Sequence, residues 1–349
     1  MKKLEVGILG ATGMVGQRFV SLLEHHPWFE VAWLAASERS AGKNYAEACN
    51  WRLREPMPKA ARELSVHECQ PVHAPQLVFS SLDSKVAGEV EKQFAQAGHV
   101  VVSNSSNHRM EADVPLLIPE VNPDHLALVR LQRKQRGWKG MIVTNPNCTT
   151  VGLVMSLAPL EKVYGLEKVL MTSMQAVSGA GYPGVPTLDI LGNVIPFISG
   201  EEEKVERETR KLLGKLADGH VHPGEFAVSA HCNRVPVEDG HTESISVALK
   251  AKATLEDLAE VWRGYRSLPQ ERQLPSAPKH PIVVREERDR PQPKFDVGTE
   301  HGMATVVGRL RPCPVLQFKY TALSHNTIRG AAGAALLNAE LMKSEGYLD

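Results

Sequence analysis

Apolar and polar positions fall into short alternating blocks along the first half of the chain. Residues 4–9, Leu-Glu-Val-Gly-Ile-Leu, read as a short buried strand. A glycine-punctuated turn follows, then an amphipathic helix through Phe19 and Leu23. Further strands are predicted at 31–36, 76–82, 99–103 and 141–144, with a helix at 86–97. Strands alternating with helical blocks predict a parallel, doubly wound sheet. Residues 115–122 are apolar and then turn-like, and 130–139 is basic and reads as a solvated helix end. From Leu166 the pattern changes. Residues 168–177 read as a longer strand, and 226–249 as two strands around Pro236-Val-Glu-Asp-Gly240, where the Asp239-Gly240 pair predicts a tight hairpin. An amphipathic helix is predicted at 254–268, an exposed charged loop at 286–295 and strands within 305–319. A small-residue helix begins near Ile328 and suits close packing against another element.

A length of 349 residues implies two domains. Lysine plus arginine equals aspartate plus glutamate at 40 each, so bulk charge argues against a nucleic-acid or anionic-membrane partner. No apolar run approaches the roughly 20 residues of a membrane helix. Lys2 and Lys3 are followed by Glu5 and glycines rather than a signal-peptide core. The five cysteines are odd in number and widely spaced, which fits a reducing cytoplasm. No CxxC or HExxH pattern occurs, so no metal site is expected.

The candidate chemistry changes this picture of an ordinary two-domain protein. Gly10-Ala-Thr-Gly13-Met-Val-Gly16 lies between a predicted strand and helix, where glycines permit a tight turn and a pyrophosphate can rest on the helix N-terminus. The alternative is a plain tight turn. After the second strand, Ser37, Arg39, Ser40 and Lys43 offer donors and charge for the 2′-phosphate of NADP, whereas Glu38 would suit the ribose hydroxyl of NAD. The third strand ends at Ser80-Ser81. The loop 103–109 follows a strand end, where such sheets bind ligands, and its Arg109 is either a phosphate clamp or a surface charge. In Asn145-Pro-Asn-Cys148-Thr-Thr150 a cysteine stands at or near a helix start. Helix-end amides and the dipole favour a thiolate there, and the same amides are candidates to hold an oxyanion. A small buried side chain is the blander reading of Cys148. The glycines of 178–184 would admit a flat ring or a bare backbone approach. The acids Glu201, Glu202 and Glu203 suit a helix's first turn. Arg234 ends one predicted strand and His241 begins the next, and a lone histidine is more often structural.

Three of these motifs together resemble the aspartate-semialdehyde dehydrogenase family, in its archaeal and fungal branch. They are Asn145-Pro-Asn-Cys148-Thr-Thr, Gln175-Ala-Val-Ser-Gly-Ala-Gly181 and Arg234-Val-Pro-Val-Glu-Asp-Gly-His241-Thr-Glu. The opening glycine motif and 103–122 agree, and the resemblance runs through essentially the whole chain. It implies an α/β fold with an N-terminal Rossmann-like, doubly wound domain at 1–147, completed by the C-terminal helix 326–349. A catalytic and dimerisation domain of the glyceraldehyde-3-phosphate dehydrogenase-like type would span 148–325. The implied reaction is NADPH-dependent reductive dephosphorylation of L-4-aspartyl phosphate to L-aspartate 4-semialdehyde, a step toward lysine, methionine and threonine. The expected protein is cytoplasmic and a homodimer or dimer of dimers. By this resemblance Cys148 is the nucleophile, His241 the proton-handling group, whose ordinary pKa suits that task, and Gln175 orients the substrate. Arg234 would bind the substrate carboxylate, Glu201 its ammonium group, and Arg109 and Lys204 the phosphate. The cofactor would be held by Gly10, Thr12, Gly13, Met14, Val15, Ser37, Arg39, Ser40, Ser81, Ser178, Gly179 and Asn326. Malonyl-CoA reductase and N-acetylglutamyl-phosphate reductase are the alternatives within this chemistry, and a non-catalytic NADPH sensor the alternative outside it.

Overall fold

A computed structural model describes residues 2–348. The chain divides into two compact units. The first contains the chain up to Leu117, Asp124–Pro146 and the stretch from Ala331 onward, and the second contains Ile118–Pro123 and Asn147–Gly330.

The first unit is built on six parallel strands: β1 (Leu4–Leu9), β2 (Phe29–Ala36), β3 (Val66–Glu68), β4 (Leu77–Ser80), β5 (Val100–Ser103) and β6 (Met141–Thr144). Their order is β3-β2-β1-β4-β5-β6. All residues of β4, β5 and β6 are buried, which explains why these strands read as unbroken apolar runs. Strand order reverses beside β1, and the glycine turn follows directly from that strand, at the place where doubly wound sheets take up ligands. The Ser84–Ala97 helix is capped by Asp83, whose carboxylate accepts from the Lys85 amide at 2.9 Å, and it stops at Gly98 with φ 105°. The predicted small-residue helix begins with a wider turn at Ile328–Ala332 and becomes regular over Gly333–Ser344. Every residue from Gly333 to Met342 is buried in it. Asn338 donates to Asn145 Oδ1 at 2.6 Å, and Glu340 meets His26 at 2.7 Å.

The second unit carries a mixed sheet of β7 (Leu166–Gln175), β10 (Ala227–Arg234), β11 (His241–Leu249), β12 (Ile282–Arg285), β13 (Thr305–Pro312) and β14 (Phe318–Ser324). A small ribbon of β8 (Lys215–Ala217) and β9 (His220–His222) stands apart from that sheet. The large sheet runs β10-β7-β11-β14-β13-β12. The predicted hairpin at Asp239-Gly240 is therefore not formed. β7 lies between the two strands, parallel to β10 and antiparallel to β11. The connection instead lies against the chain just beyond β7: Val235 N–H donates to Gln175 O at 3.0 Å and Val177 N–H to Val237 O at 2.8 Å. A long central strand supplies more ladder bonds than a short local turn can offer. The predicted helix at 254–268 also divides. It is regular over Leu255–Arg263, with a Thr254/Asp257 capping box, then breaks at Gly264 before a short turn at Leu268–Glu271 that contains Pro269. Among the described residues no helix is long and apolar enough to cross a membrane.

Candidate active site

Cys148 is the first residue of the Cys148–Tyr164 helix, and Asn147 is its N-cap. Asn-Pro-Asn cannot continue a helix, so the chain enters this one abruptly. Asn147 Oδ1 accepts from the amides of Thr149 at 2.8 Å and Thr150 at 3.2 Å. These two amides are thus already taken by the cap. A capped N–H has no free donor to offer, so neither of these two amides is open to an oxyanion. The dipole argument for Cys148 is unaffected.

Three strand ends converge on the cysteine. β7 ends at Gln175, β10 ends at Arg234 in register with it, and β11 begins at His241. The inserted β7 is what puts all three side by side. His241 Nε2 lies 3.2 Å from Cys148 Sγ. Its other nitrogen, Nδ1, accepts from the Ala176 amide at 3.1 Å, while Arg234 Nη1 donates to the Ala176 carbonyl at 2.7 Å. A Cβ on Gly179 would stand 2.9 Å from Arg234 Nη1 and 3.2 Å from His241 Nε2, so a bare backbone is required there. Asn326 ties this loop down, donating to Ser178 Oγ at 2.8 Å and accepting from the Gly240 amide at 2.9 Å. The Gln175 amide donates to Ser173 Oγ at 3.2 Å.

His241 is fully buried, and its pKa is pushed down to about 3, first by burial and then by the charges of Arg234 and His325. The expectation of a ring titrating near neutrality is corrected: burial in this polar but cationic corner keeps the imidazole uncharged. Burial also lowers the Arg234 pKa, an effect opposed by Cys148 and Glu201, which shows how near these groups stand.

The Glu201–Leu212 helix buttresses the cysteine from behind. Glu201 Oε1 accepts from Asn147 Nδ2 at 2.8 Å, and its Oε2 lies 3.6 Å from Lys204 Nζ. Glu208 Oε2 accepts from the Asn147 amide at 2.6 Å. Glu208 was not singled out in the sequence, although it stands seven residues after Glu201 and so shares its helix face. The pair of carboxylates fixes the residue that caps the cysteine's helix.

In the first unit, Gly10 has φ 75°, and a Cβ on it would lie 2.8 Å from Ser81 O. A Cβ on Gly16 would lie 2.3 Å from Gly10 O. Gly13 caps the Met14–Leu23 helix without any side chain bonding to it, which leaves the first-turn amides beside Thr12, Met14 and Val15 suited to an anion. Ser81 Oγ donates to Leu9 O at 3.0 Å and so braces the turn. Gln17 and Tyr45 also hold it, donating to Thr12 O at 2.9 Å and Ala11 O at 2.8 Å. Neither residue stood out in the sequence, since an isolated Gln or Tyr carries no pattern. Ser37 to Ser40 form an exposed turn after β2, with the Ser40 amide bonded to Ser37 O at 2.8 Å. This turn, with Arg39 outward, fits a phosphate-bearing ribose. Arg109 is buried, and its guanidinium donates to Asn104 O at 2.7 Å.

Comparison with known proteins bears on both units. The semialdehyde dehydrogenase NAD-binding domain matches residues 5–129, and the semialdehyde dehydrogenase dimerisation domain matches residues 157–329. Aspartate-semialdehyde dehydrogenase of Archaeoglobus fulgidus is 52% identical over 344 residues, covering 98% of this chain and 99% of that protein. The Methanothermobacter thermautotrophicus enzyme is 51% identical over 343 residues, covering 97% and 99%. The chain belongs to the aspartate-semialdehyde dehydrogenase family. It is an oxidoreductase. The crystal structure of aspartate semialdehyde dehydrogenase with NADP from Candida albicans matches it with a TM-score of 0.91 at 44% identity, covering 99% of each chain. The resemblance read from the cysteine, glutamine and arginine–histidine motifs is thus borne out along the chain, in archaeal and fungal relatives alike. These names favour the aspartate-semialdehyde reading over the malonyl-CoA and N-acetylglutamyl-phosphate alternatives.

Proposed function

We propose that this chain reduces L-4-aspartyl phosphate to L-aspartate 4-semialdehyde with NADPH, releasing phosphate, in the biosynthesis of lysine, methionine and threonine. The observation that carries the reading is Cys148 Sγ at a helix N-terminus, 3.2 Å from His241 Nε2, beside the buried Arg234. A sulfur nucleophile, a hydrogen-bonding ring and a planar cation suit an acyl phosphate attached to a carboxylate.

Cys148 attacks the acyl carbon, the C–O bond to phosphate breaks, and a thioester forms. Arg234 holds the substrate α-carboxylate through its guanidinium fork, and Glu201 meets the ammonium group. Arg109 and Lys204 receive the phosphate, and Gln175 orients the acyl group. NADPH, when bound, supplies the hydride that converts the Cys148 thioester to a thiohemiacetal. Gly10, Thr12, Gly13, Met14 and Val15 take its pyrophosphate, with Ser81 bracing their turn. Ser37, Arg39 and Ser40 take the 2′-phosphate, and Ser178, Gly179 and Asn326 shape the nicotinamide side. Residues 1–147 with 326–349 act as the cofactor domain, and 148–325 as the catalytic and dimerisation domain. The working protein is a cytoplasmic homodimer or dimer of dimers.

The test is NADP reduction with aspartate semialdehyde, with and without inorganic phosphate, then repeated with NAD. Phosphate-dependent reduction that is faster with NADP is expected. Turnover only with coenzyme A in place of phosphate would sink the acyl-phosphate reading.

A further inference from the structure

The Ser84–Ala97 helix buries a carboxyl where its pattern calls for an apolar side chain. Ala87, Glu91, Phe94 and Ala95 are the residues it turns inward, and Glu91 is fully buried. A carboxyl is costly there unless it is bonded and paired. Its Oε1 accepts from Ser103 Oγ at 2.8 Å, and Ser103 Oγ accepts in turn from the Ser105 amide at 3.0 Å. Its Oε2 has no hydrogen-bond partner among the described residues and lies 3.6 Å from His108 Nε2. Burial pushes the Glu91 carboxyl up from the ordinary range, and Ser103, His108 and Arg109 pull against it. Ser103, Ser105 and His108 all belong to the loop that ends in Arg109.

The same helix face grips that loop at two further points. Asn107 Nδ2 donates to Ser84 O at 3.0 Å, and His108 Nε2 donates to Gly88 O at 3.2 Å. Positions 84, 88 and 91 follow the spacing of one helix face. A Cβ on Gly88 would stand 2.8 Å from Asn107 Nδ2, so the loop lies directly on bare helix backbone. On its other side, His108 Nδ1 faces Glu111 Oε1 at 2.8 Å. Against the effect of burial, hydrogen bonds from His108 and Arg136 hold the Glu111 pKa down at about 2, so this oxygen accepts. With a carbonyl at one ring nitrogen and a carboxylate at the other, both nitrogens of His108 have to donate. A ring that does so is a cation, and Glu91 is the second carboxylate beside it. The start of the loop is pinned separately, because the Asn104 amide N–H and Nδ2 each donate to Ser80 O at 3.0 Å. Arg109, donating to Asn104 O at 2.7 Å, therefore leaves a loop held at both ends.

We propose that Glu91 is a positioning residue for phosphate: through Ser103 and the charged His108 ring it holds the 103–109 loop so that Arg109 presents its guanidinium to the anion. The inference rests on the reading of Arg109 as a phosphate clamp. An apolar side chain of similar size would fill this place in the core at no net loss of stability, so a buried carboxylate is poor value as a structural device. It suits a clamp, because a donor aimed before the anion arrives has nothing left to reorganise on binding.

The experiment is the steady-state kinetics of phosphate-dependent NADP reduction with aspartate semialdehyde. It compares wild type, Glu91→Gln, Glu91→Leu, Arg109→Ala and each Glu91 variant combined with Arg109→Ala. Glutamine keeps the shape and an acceptor for Ser103 but loses the charge beside His108, whereas leucine loses both. The KM for phosphate should rise on the order of tenfold in Glu91→Leu and about three- to tenfold in Glu91→Gln. The values of kcat and of KM for aspartate semialdehyde and NADP should stay within about twofold of wild type. Arg109→Ala should raise the phosphate KM by about tenfold or more. Once Arg109 is gone, either Glu91 change should add less than about twofold, because its effect passes through that side chain. A phosphate KM within about twofold of wild type in either Glu91 variant, equal rises in all three KM values, or a full further loss in the combined variants would overturn the proposal while leaving Arg109 as the clamp. An unchanged phosphate KM in Arg109→Ala would remove the clamp itself, and the proposal with it. Glu91→Gln is nearly isosteric and carries the test by itself where Glu91→Leu fails to fold.

Discussion

Replacing Glu243 by glutamine should stabilise the protein, and by more as pH rises. Glu243 is 1% exposed, and neither carboxyl oxygen has a hydrogen-bond partner among the described residues. It sits on β11 against Gly152 of the cysteine's helix, where an added Cβ would lie 3.1 Å from Oε1. Burial raises its pKa well above the carboxylate range. An unfolded glutamate releases its proton near pH 4.3, whereas the folded one keeps it. The folded state then binds one proton more than the unfolded state. Stability contributed by this group is complete below about pH 4.3 and falls by about 1.4 kcal/mol for each pH unit above that, until the folded carboxyl ionises. His241 has the opposite sign. Its folded pKa of about 3 lies below the unfolded value, so its contribution is present above about pH 6.5 and is lost as pH falls toward 3. The two slopes oppose each other between about pH 4.3 and 6.5, so only the difference between wild type and Glu243→Gln isolates the carboxyl. Urea unfolding at fixed protein concentration, over a pH series, should give near-equal stabilities around pH 4 and a lead for the variant growing by about 1.4 kcal/mol per unit. Parallel stability curves from acid to neutral pH would refute the reasoning and mean that Glu243 is ionised in the folded protein.

Three further outcomes test the two units separately. Gly16→Ala drives a methyl to 2.3 Å from Gly10 O, so NADP affinity measured by calorimetry should fall at least tenfold or the protein should lose thermal stability; unchanged binding and melting would mean the turn relaxes freely. Arg39→Ala should weaken NADPH binding more than NADH binding, because only NADPH bears the 2′-phosphate, and equal losses would place Arg39 outside that site. Arg234→Lys keeps the charge but loses both the fork and the hold on the Ala176 carbonyl, so kcat/KM should drop by about 10²-fold or more with circular dichroism unchanged; near-normal activity would mean another cation binds the carboxylate.

The sequence alone determined the local features. Asn-Pro-Asn before an apolar run places Cys148 at a helix start because backbone restrictions act between neighbours. Glycines at 10, 13 and 16 determine the first turn for the same reason, since positive φ and close backbone approach are properties of a few residues. The unbroken apolar runs of β4, β5 and β6 made the parallel sheet legible, because burial on both faces leaves no polar alternation.

Tertiary structure decided what depends on distant partners. Asp239-Gly240 carries a hairpin signal, yet β7 separates its two strands, because pairing is settled by ladder bonds to a segment some sixty residues earlier. Only that insertion brings Gln175, Arg234 and His241 to one edge. The charge of His241 was equally illegible, since a histidine's ordinary pKa gives way to burial, to the cation of Arg234 and to the amide of Ala176. Glu208 follows Glu201 by two helical turns in any reading, but that its carboxylate takes the Asn147 amide is a fact about how two helices pack. Spacing along a chain sets backbone shape over a few residues; the state of a buried group is set by whatever folding brings against it.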